Sequence, residues 1–480
     1  MSGDDRRAKL ESLREQGVDP FPHAFPDRTE IAAVREHHDG LEPGIETDER
    51  YRVAGRITAR RGHGKASFID IRDGTGRIQV QARLDELGDT YERLLSLDLG
   101  DVVGIEGVAF TSKRGELSIR ADAWELLAKS LRPPPEKFHG LEDTETRYRK
   151  RELDLIANEE TRSLFAKRAE TISAVRSWFD ARGFVEVETP VLQPLYGGAL
   201  ARPFTTHHNA LDRDFYLRIA TELYLKRLVV GGIDKVYELG KDFRNEGISH
   251  KHNPEFTMLE WYEAYADYSD TARELEALVA EVAKRVTGDT KIEREGETVD
   301  LSPPWRRVTL RDAIRDETGI DVLEHPTREQ LAEAMGSEPD PEEGWGKLVD
   351  GLLSKRVEPK LIAPTFITDY PVELSPFAKR HRDDERLVER WEAFAGGMEI
   401  ANSFTELNDP DEQRRRFEEQ RAEQERGDEE TQPYDEGFIE ALEHGMPPTG
   451  GAGLGIDRLV MILTGAKSLR EVLLFPAMRS

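Results

Sequence analysis

The chain has 480 residues, 68 of them basic and 95 acidic, for a net charge of −27. That length is expected to hold about two to four domains, and the acidity means that any polyanion must be met by a local basic patch. The absence of cysteine excludes disulfides, thiolate metal sites and cysteine nucleophiles.

The N-terminal run MSGDDRRAKLESLREQG has no apolar h-region, and no apolar run approaches the ~20 residues that cross a bilayer. A cytoplasmic protein with no membrane contact is expected. Residues 5–17 read as a short charged helix and 18–45 as an irregular, proline-containing connection. From Tyr51 the period changes to two. YRVAGRITA, ASFIDI, RIQVQA, DVVGIEGVAF and ELSIRADAWEL alternate polar and apolar, with a helical LDELGDTYERLLSL between the third and the fourth. That order within about 80 residues predicts a five-stranded Greek-key barrel of the OB type, here over residues 46–130. LRPPPEKFHG opens a linker over 131–150, and a larger domain is expected over 151–480.

In that domain EETRSLFAKRAETISAVRSWFDARGF carries Leu164, Ala169, Ile172, Val175 and Phe179 at helical spacing and stops at Gly183. VEVETPVL follows and reads as a strand containing Pro190. Strands and helices then mix without a βαβ rhythm. This predicts an α+β domain whose sheet is mixed, mainly antiparallel and flanked by helices. Residues 409–430 read as a solvated, charge-rich helix.

Three stretches carry candidate chemistry. KVYELGKDF and FTMLEWYEAY predict an antiparallel hairpin with a long basic tip holding His250, Lys251 and His252. Met258, Glu260, Tyr262 and Ala264 share one face of the second strand. Glu238, Gly240 and Asp242 share one face of the first, which Arg244 continues. If the faces coincide, an Arg, a Glu and a Tyr converge, and the Arg fork suits a phosphate or a carboxylate. A surface hairpin with internal ion pairs explains this stretch equally well when it is taken alone. In ERWEAFAGGMEIANSFTELND, Gly396-Gly397 signals a two-residue hairpin that sets Phe394 opposite Glu399 and Glu392 diagonal to it. Paired carboxylates beside a phosphate-bearing substrate suit magnesium. For Asn402, Phe404 and Glu406 to join the face of Glu399, a bulge is needed near Ile400–Ala401. GGAGLGIDRLVMIL runs a glycine-rich strand into Asp457-Arg458 at a helix start. It is neither a P-loop nor a Rossmann fingerprint.

Together these stretches resemble the class II aminoacyl-tRNA synthetases. GFVEVETP is similar to their motif 1, FRNE…HNPEFT to motif 2 and GLGIDR to motif 3. GKASFIDIRD, RPPPEKFHGLEDTETRYRKRELDLI, GGALARPFTTHHNALDRDFYLRIATELYLKRLVVGG and LFPAMR resemble the lysyl-tRNA synthetases of the bacterial and eukaryotic class II type. The likeness runs from Asp4 to Arg479.

The resemblance implies a class II catalytic domain behind the barrel and a lysine–tRNA ligase activity. Lysine is activated with ATP and then passed to the 3′ end of lysine tRNA. It implies that Gly198 and Glu222 hold the α-amine of L-lysine and Arg244 its carboxylate. Glu260, Tyr262, Asn402, Phe404 and Glu406 line the pocket, with Glu406 and Tyr262 nearest the ε-ammonium. ATP lies against Arg244, Glu246, His252, Asn253, Phe256 and Arg458, with Phe256 stacked on adenine. Glu392 and Glu399 carry Mg2+, with up to three ions accompanying ATP. Arg244 and Arg458 are the catalytic pair. Motif 1 implies a homodimer. In the barrel, Arg61, Phe68, Gln79 and Glu116 read the central anticodon uridine, while Arg56, Arg60 and Lys65 meet phosphates. Taken alone, Phe68 reads as a barrel-core aromatic. An aspartate or asparagine synthetase of the same subclass, a ligase that lysylates a protein, and a non-catalytic OB-type RNA-binding protein are the competing readings. The three acidic pocket residues, the N-terminal barrel and the intact motif residues argue against them in turn.

Overall fold

A computed structural model describes residues 3–135, 141–336, 344–425 and 432–479. They fall into two units, 1–142 with 152–157 and 143–151 with 158–480. Part of the expected linker (136–140) and the end of the expected charged helix (426–430) lie outside the described residues.

In the first unit two helices, α1 (Gly3–Glu15) and α2 (Ile31–His37), precede β1 (Glu46–His63), β2 (Ala66–Arg72) and β3 (Arg77–Arg83). Short helices at Leu84–Leu87 and α3 (Tyr91–Ser96) lead to β4 (Val102–Thr111) and β5 (Leu117–Ala128). The five strands close a barrel in the order β1-β2-β3-β5-β4. Alternation decides its interior: Ile69, Ile71, Ile78, Val80, Val103 and Ile105 are buried together. The connection expected over 18–45 is not wholly irregular, because α2 interrupts it. Its first N–H groups are capped from a distant turn, Ile31 N donating to Asp73 Oδ2 at 3.0 Å and Ala32 N to Thr75 Oγ1 at 3.0 Å. Ile31 and Val34 pack into the barrel core. A helix whose cap and apolar partners come from elsewhere leaves little local signal.

The second unit runs α4 (Glu159–Asp180), β6 (Val185–Glu186), α5 (Glu222–Val230), β7 (Lys235–Phe243), β8 (Glu255–Ala264) and α6 (Tyr268–Thr287). Then come β9 (Arg306–Thr309), β10 (Thr365–Pro371), β11 (Leu387–Ala395), β12 (Met398–Thr405), α7 (Pro410–Glu425), β13 (Thr449–Gly455) and α8 (Ile456–Thr464). Eight strands form one sheet in the order β9-β10-β11-β12-β13-β8-β7-β6. The outermost pairs, β9–β10 and β7–β6, are parallel, and the pairs between them are antiparallel. The fold is therefore α+β with a mixed, mainly antiparallel sheet.

α4, α6 and α8 cover one face of this sheet, where Trp178, Phe179, Leu278 and Leu459 pack with Leu259 and Trp261 of β8. The period of two then turns Met258, Glu260 and Tyr262 to the other face. Two expectations fail here. Ala169 of α4 is exposed, and the buried stripe runs through Thr171, Ala174, Val175, Trp178 and Phe179. VEVETPVL is not one strand but two short ones, Val185–Glu186 and Leu192–Gln193. Between them Pro190 has no N–H to offer. The Thr189 N–H and hydroxyl donate to the Glu238 carboxylate instead, at 3.0 and 2.7 Å.

Candidate active site

Two hairpins, β7–β8 and β11–β12, with β13 between them, build the site. In the β7–β8 hairpin Glu238 stands opposite Glu260, Gly240 opposite Met258 and Asp242 opposite Phe256, so the expected faces do coincide. Glu238 and Asp242 are nonetheless occupied. The buried Arg218 guanidinium is ion-paired to Glu238, and its Nε lies 3.2 Å from Asp242. It crosses the strand at Gly240, where a Cβ would stand 2.2 Å from Arg218 Nη2. Arg244, beyond the end of β7, lies over the Phe256 ring at 5.1 Å.

The β11–β12 hairpin turns through Gly396 and Gly397, at φ 60° and 75°, a conformation that L side chains resist. Phe394 pairs with Glu399 and Glu392 with Asn402, so the register shifts by one at Ile400. This is the bulge that the sequence requires. It lets Glu399, Asn402 and Phe404 serve one cavity.

That cavity measures about 330 Å³. Gly198, Glu222, Glu260, Tyr262, Asn402, Phe404 and Glu406 line one end of it. Arg244, Glu246, His252, Asn253, Phe256 and Arg458 line the remainder. Glu399 is in the wall and Glu392 is not. The Glu392 carboxylate accepts from Tyr370 Oη at 2.8 Å and from Arg390 Nη2 at 2.5 Å.

The first of these ends is acidic, with Glu222, Glu260 and Glu406 in its lining. Burial pushes the carboxyls of Glu260 and Glu406 up to about 8. It also raises Tyr262, whose hydroxyl stays neutral and donates towards Glu260 Oε2 at 3.4 Å. Glu406 is 1% exposed, and its Oε1 has no hydrogen-bond partner among the described residues. An orphaned buried acceptor costs about 1–3 kcal/mol, more for a charged group, unless a donor arrives. The space in front of it exists because residue 451 is glycine: a Cβ there would stand 2.0 Å from Glu406 Oε1 and 2.4 Å from Tyr262 Cε1.

At the other end, burial and the neighbouring Arg458 hold His252 down to about 4, so the ring is neutral. Its Nδ1 lies 2.9 Å from Ser249 Oγ. Arg458 Nη1 donates to the Glu399 carbonyl at 2.7 Å and to Oε2 at 3.0 Å. Burial pushes Glu392 up to about 7, and the Glu399 charge adds to the shift. Two oxygen donors that repel each other suit a hard divalent cation. Among the described residues Glu392 and Glu399 belong to no cluster of three acidic or histidine groups. The motifs are also tied together behind the site. Asp457 Oδ2 accepts from Thr257 N at 2.8 Å, and Oδ1 lies 2.6 Å from Arg168 Nη2 of α4.

On the barrel, β1 and β2 set Arg61 opposite Phe68, β2 and β3 set Asp70 opposite Gln79, and β5 brings Ser118 beside Gln79. Phe68 is half-buried and stands outside the apolar core. The barrel-core reading of Phe68 therefore fails, because its face is that of Asp70, opposite to Ile69 and Ile71. Arg61 is 63% exposed, with Nη2 3.2 Å from Asp70. Glu116 is partly exposed, 4.0 Å from Arg35. Arg60, expected at a phosphate, instead donates to the carbonyls of Leu95 and Leu97 at the end of α3. Arg56 Nη1 donates to the Gly100 carbonyl at 2.7 Å. Both close backbone carbonyls that the barrel leaves open.

Four residues of the catalytic unit escape a reading of the sequence. Gly451 sits within a glycine run that advertises close approach but not to what. Gln432 holds the Gly198 loop, accepting from Gly198 N at 3.0 Å and donating to the Ala199 carbonyl. Arg390 binds Glu392 and reaches Asn402 Oδ1 at 3.2 Å. Lys226 follows Glu222 by four in ELYLKR, which reads as an ordinary exposed helix pair. It is in fact completely buried.

Residues 143–479 match the family of tRNA synthetases class II (D, K and N), and residues 51–127 match the OB-fold nucleic acid binding domain. The chain is 52% identical over 478 residues to the lysine–tRNA ligase of Moorella thermoacetica, covering 99% of this chain and 97% of that one. It is 52% identical over 477 residues to the lysine–tRNA ligase of Dehalococcoides mccartyi, covering 98% and 96%. Against the lysine–tRNA ligase of Halalkalibacterium halodurans it is 51% identical over 482 residues, covering 99% and 96%.

Proposed function

The chain belongs to the class II tRNA synthetases of the D, K and N group, and from that premise we propose that it activates L-lysine with ATP and joins it to lysine tRNA. The observation that carries this reading is Glu406 Oε1, a buried acceptor in the cavity lining without a hydrogen-bond partner among the described residues. An ammonium entering there finds a carboxylate, and the neutral phenol of Tyr262 beside it. Aspartate or asparagine would leave that oxygen without a donor, which costs about 1–3 kcal/mol. This is the physical basis for choosing lysine within the group.

Gly198 and Glu222 receive the α-amine in this reading, and Arg244 the carboxylate. Asn402, Phe404 and Glu260 complete the walls. ATP lies against Glu246, His252, Asn253 and Phe256, with Arg244 and Arg458 near the phosphates. The lysine carboxylate attacks the α-phosphorus, the bond to pyrophosphate breaks, and lysyl-adenylate remains. No protein nucleophile is needed. The chain holds the reactants in line, and two guanidinium groups meet charge that grows in the transition state. Glu392 and Glu399 would hold Mg2+, which supplies charge neutralisation of the phosphates when bound. The ribose of the tRNA end then takes the aminoacyl group.

Arg61, Phe68, Gln79 and Glu116 form the anticodon-reading face of the barrel in this reading, with the half-exposed Phe68 ring available to stack a base. We assign the chain to the cytoplasm; among the described residues no helix is long and apolar enough to cross a membrane. A homodimer through motif 1 is supported by Val185, Val191 and Leu192, each at least 41% exposed along that segment. Charging assays on a lysine tRNA transcript test the whole reading. Lysine should be esterified to it, and replacing the central anticodon uridine should sharply reduce charging. Failure to charge that transcript with lysine contradicts the reading.

A further inference from the structure

Lys226 of α5 is 0% exposed and lies behind the cavity wall. Its Nζ is 2.6 Å from Glu222 Oε1 and is ion-paired to Glu406 Oε2. It also lies 5.1 Å from the centre of the Phe377 ring. One ammonium thus joins the carboxylate assigned to the substrate α-amine and the carboxylate assigned to its ε-ammonium. An exposed Glu–Lys pair four apart adds only about 0.3–0.5 kcal/mol to a helix. A wholly buried ammonium is far costlier and persists where paired charges and specificity require it.

We propose that Lys226 is a positioning residue for lysine selection, which fixes the spacing of Glu222 and Glu406 and sets the charge of the pocket to that of the substrate. The proposal rests on the lysine-activation reading above. Three carboxylates, Glu222, Glu260 and Glu406, face the amino-acid end. Lys226 cancels one of them. With the substrate's ammonium groups in place all three carboxyls ionise, and the two charges left over then match those two groups, while the substrate carboxylate goes to Arg244. Lys226 is ion-paired to Oε2, and Oε1 lies against Gly451 of the cavity lining with no hydrogen-bond partner among the described residues. Without Lys226, Glu222 and Glu406 would repel each other, and Glu406 would hold its proton to a still higher pH.

The groups around Glu406 are Lys226 and Glu222 from α5 and Tyr262 from β8. Glu260 of the same strand and Arg390 of β11 act on Glu222 in turn. Of these, Lys226 favours the ionised form of Glu406 and Glu222 opposes it.

The test is ATP–pyrophosphate exchange on the full chain, wild type and Lys226→Met, with lysine and with norleucine from about pH 6 to about pH 10. An opposite charge within a few ångströms moves a carboxyl by about one to three units, so the acid limb of kcat/KM for lysine should move upward by about one unit or more. The lysine KM should rise by about 30-fold or more, roughly 2 kcal/mol, with the ATP KM within about twofold and the preference over norleucine narrowed. An acid limb that stays in place, or equal losses for lysine and norleucine, overturns the proposal. If Lys226→Met does not fold, Lys226→Gln, which keeps a polar end without the charge, carries the same test with the same outcomes. A wild-type chain that does not activate lysine refutes the underlying reading instead, so the two failures are distinguishable.

Discussion

Glu406→Gln keeps the shape of the side chain and removes its charge. The structure makes this a severe change, because both carboxylate oxygens have work to do. Oε2 is ion-paired to the Lys226 ammonium, and Oε1, beside Gly451 of the cavity lining, has no hydrogen-bond partner among the described residues. An amide has one oxygen and one NH2. If the oxygen turns to Lys226, the NH2 points at the substrate ammonium, and the flipped orientation sets the NH2 against Lys226. Either way one buried ammonium faces a donor. Breaking a buried pair by removing one member costs roughly 3–5 kcal/mol, so lysine activation should fall by about 100-fold or more. ATP–pyrophosphate exchange with varied lysine, ATP and norleucine measures this. The lysine term should carry the loss, the ATP KM should change little, and the gap between lysine and norleucine should close. Equal losses for both amino acids would make Glu406 a scaffold residue and refute the pocket assignment.

Burial holds the Glu406 carboxyl at about 8 in the free pocket, and an arriving ammonium favours its ionised form. Lysine binding should therefore release protons below that pH and weaken as pH falls through it; calorimetry in buffers of different ionisation enthalpy should report the release, and a buffer-independent heat contradicts it. Gly451→Ala drives a methyl to 2.0 Å from Glu406 Oε1, so lysine binding should be lost while a nucleotide analogue still binds, as fluorescence titration would report. Glu399→Gln should lower adenylate formation by about 100-fold, the several kcal/mol that metal-assisted charge stabilisation supplies, and raise the magnesium requirement with the thermal transition unchanged. An unaltered magnesium dependence counts against the metal assignment. Light scattering should find a dimer at micromolar concentration; an active monomer there contradicts the motif 1 interface.

The parts of the fold that follow from local alternation were legible in the sequence. The barrel strands, the β7–β8 hairpin and the β11–β12 hairpin rest on period two and a Gly-Gly turn, which neighbours in the chain decide, whereas the β7–β8 register comes from the structure. What escaped depends on partners far away in sequence. Helix α2 takes its caps from Asp73 and Thr75. The strand expected at VEVETPVL breaks because Glu238 claims the Thr189 N–H. At the site, the pattern of carboxylates was readable, and so was the resemblance that ordered them. Lys226 was not, since nothing in ELYLKR separates a buried Glu–Lys pair from an exposed one. Gly240 and Gly451 were visible as glycines, but only the structure shows that one clears a path for Arg218 and the other for the ligand.

The central claim is that the charge and depth of this pocket select lysine. Amino-acid-dependent ATP–pyrophosphate exchange, run on the purified full chain with each standard amino acid in turn, tests it most directly. Lysine alone should drive rapid exchange, with aspartate and asparagine at background. Exchange driven by aspartate or asparagine, or by no amino acid at all, would contradict the account.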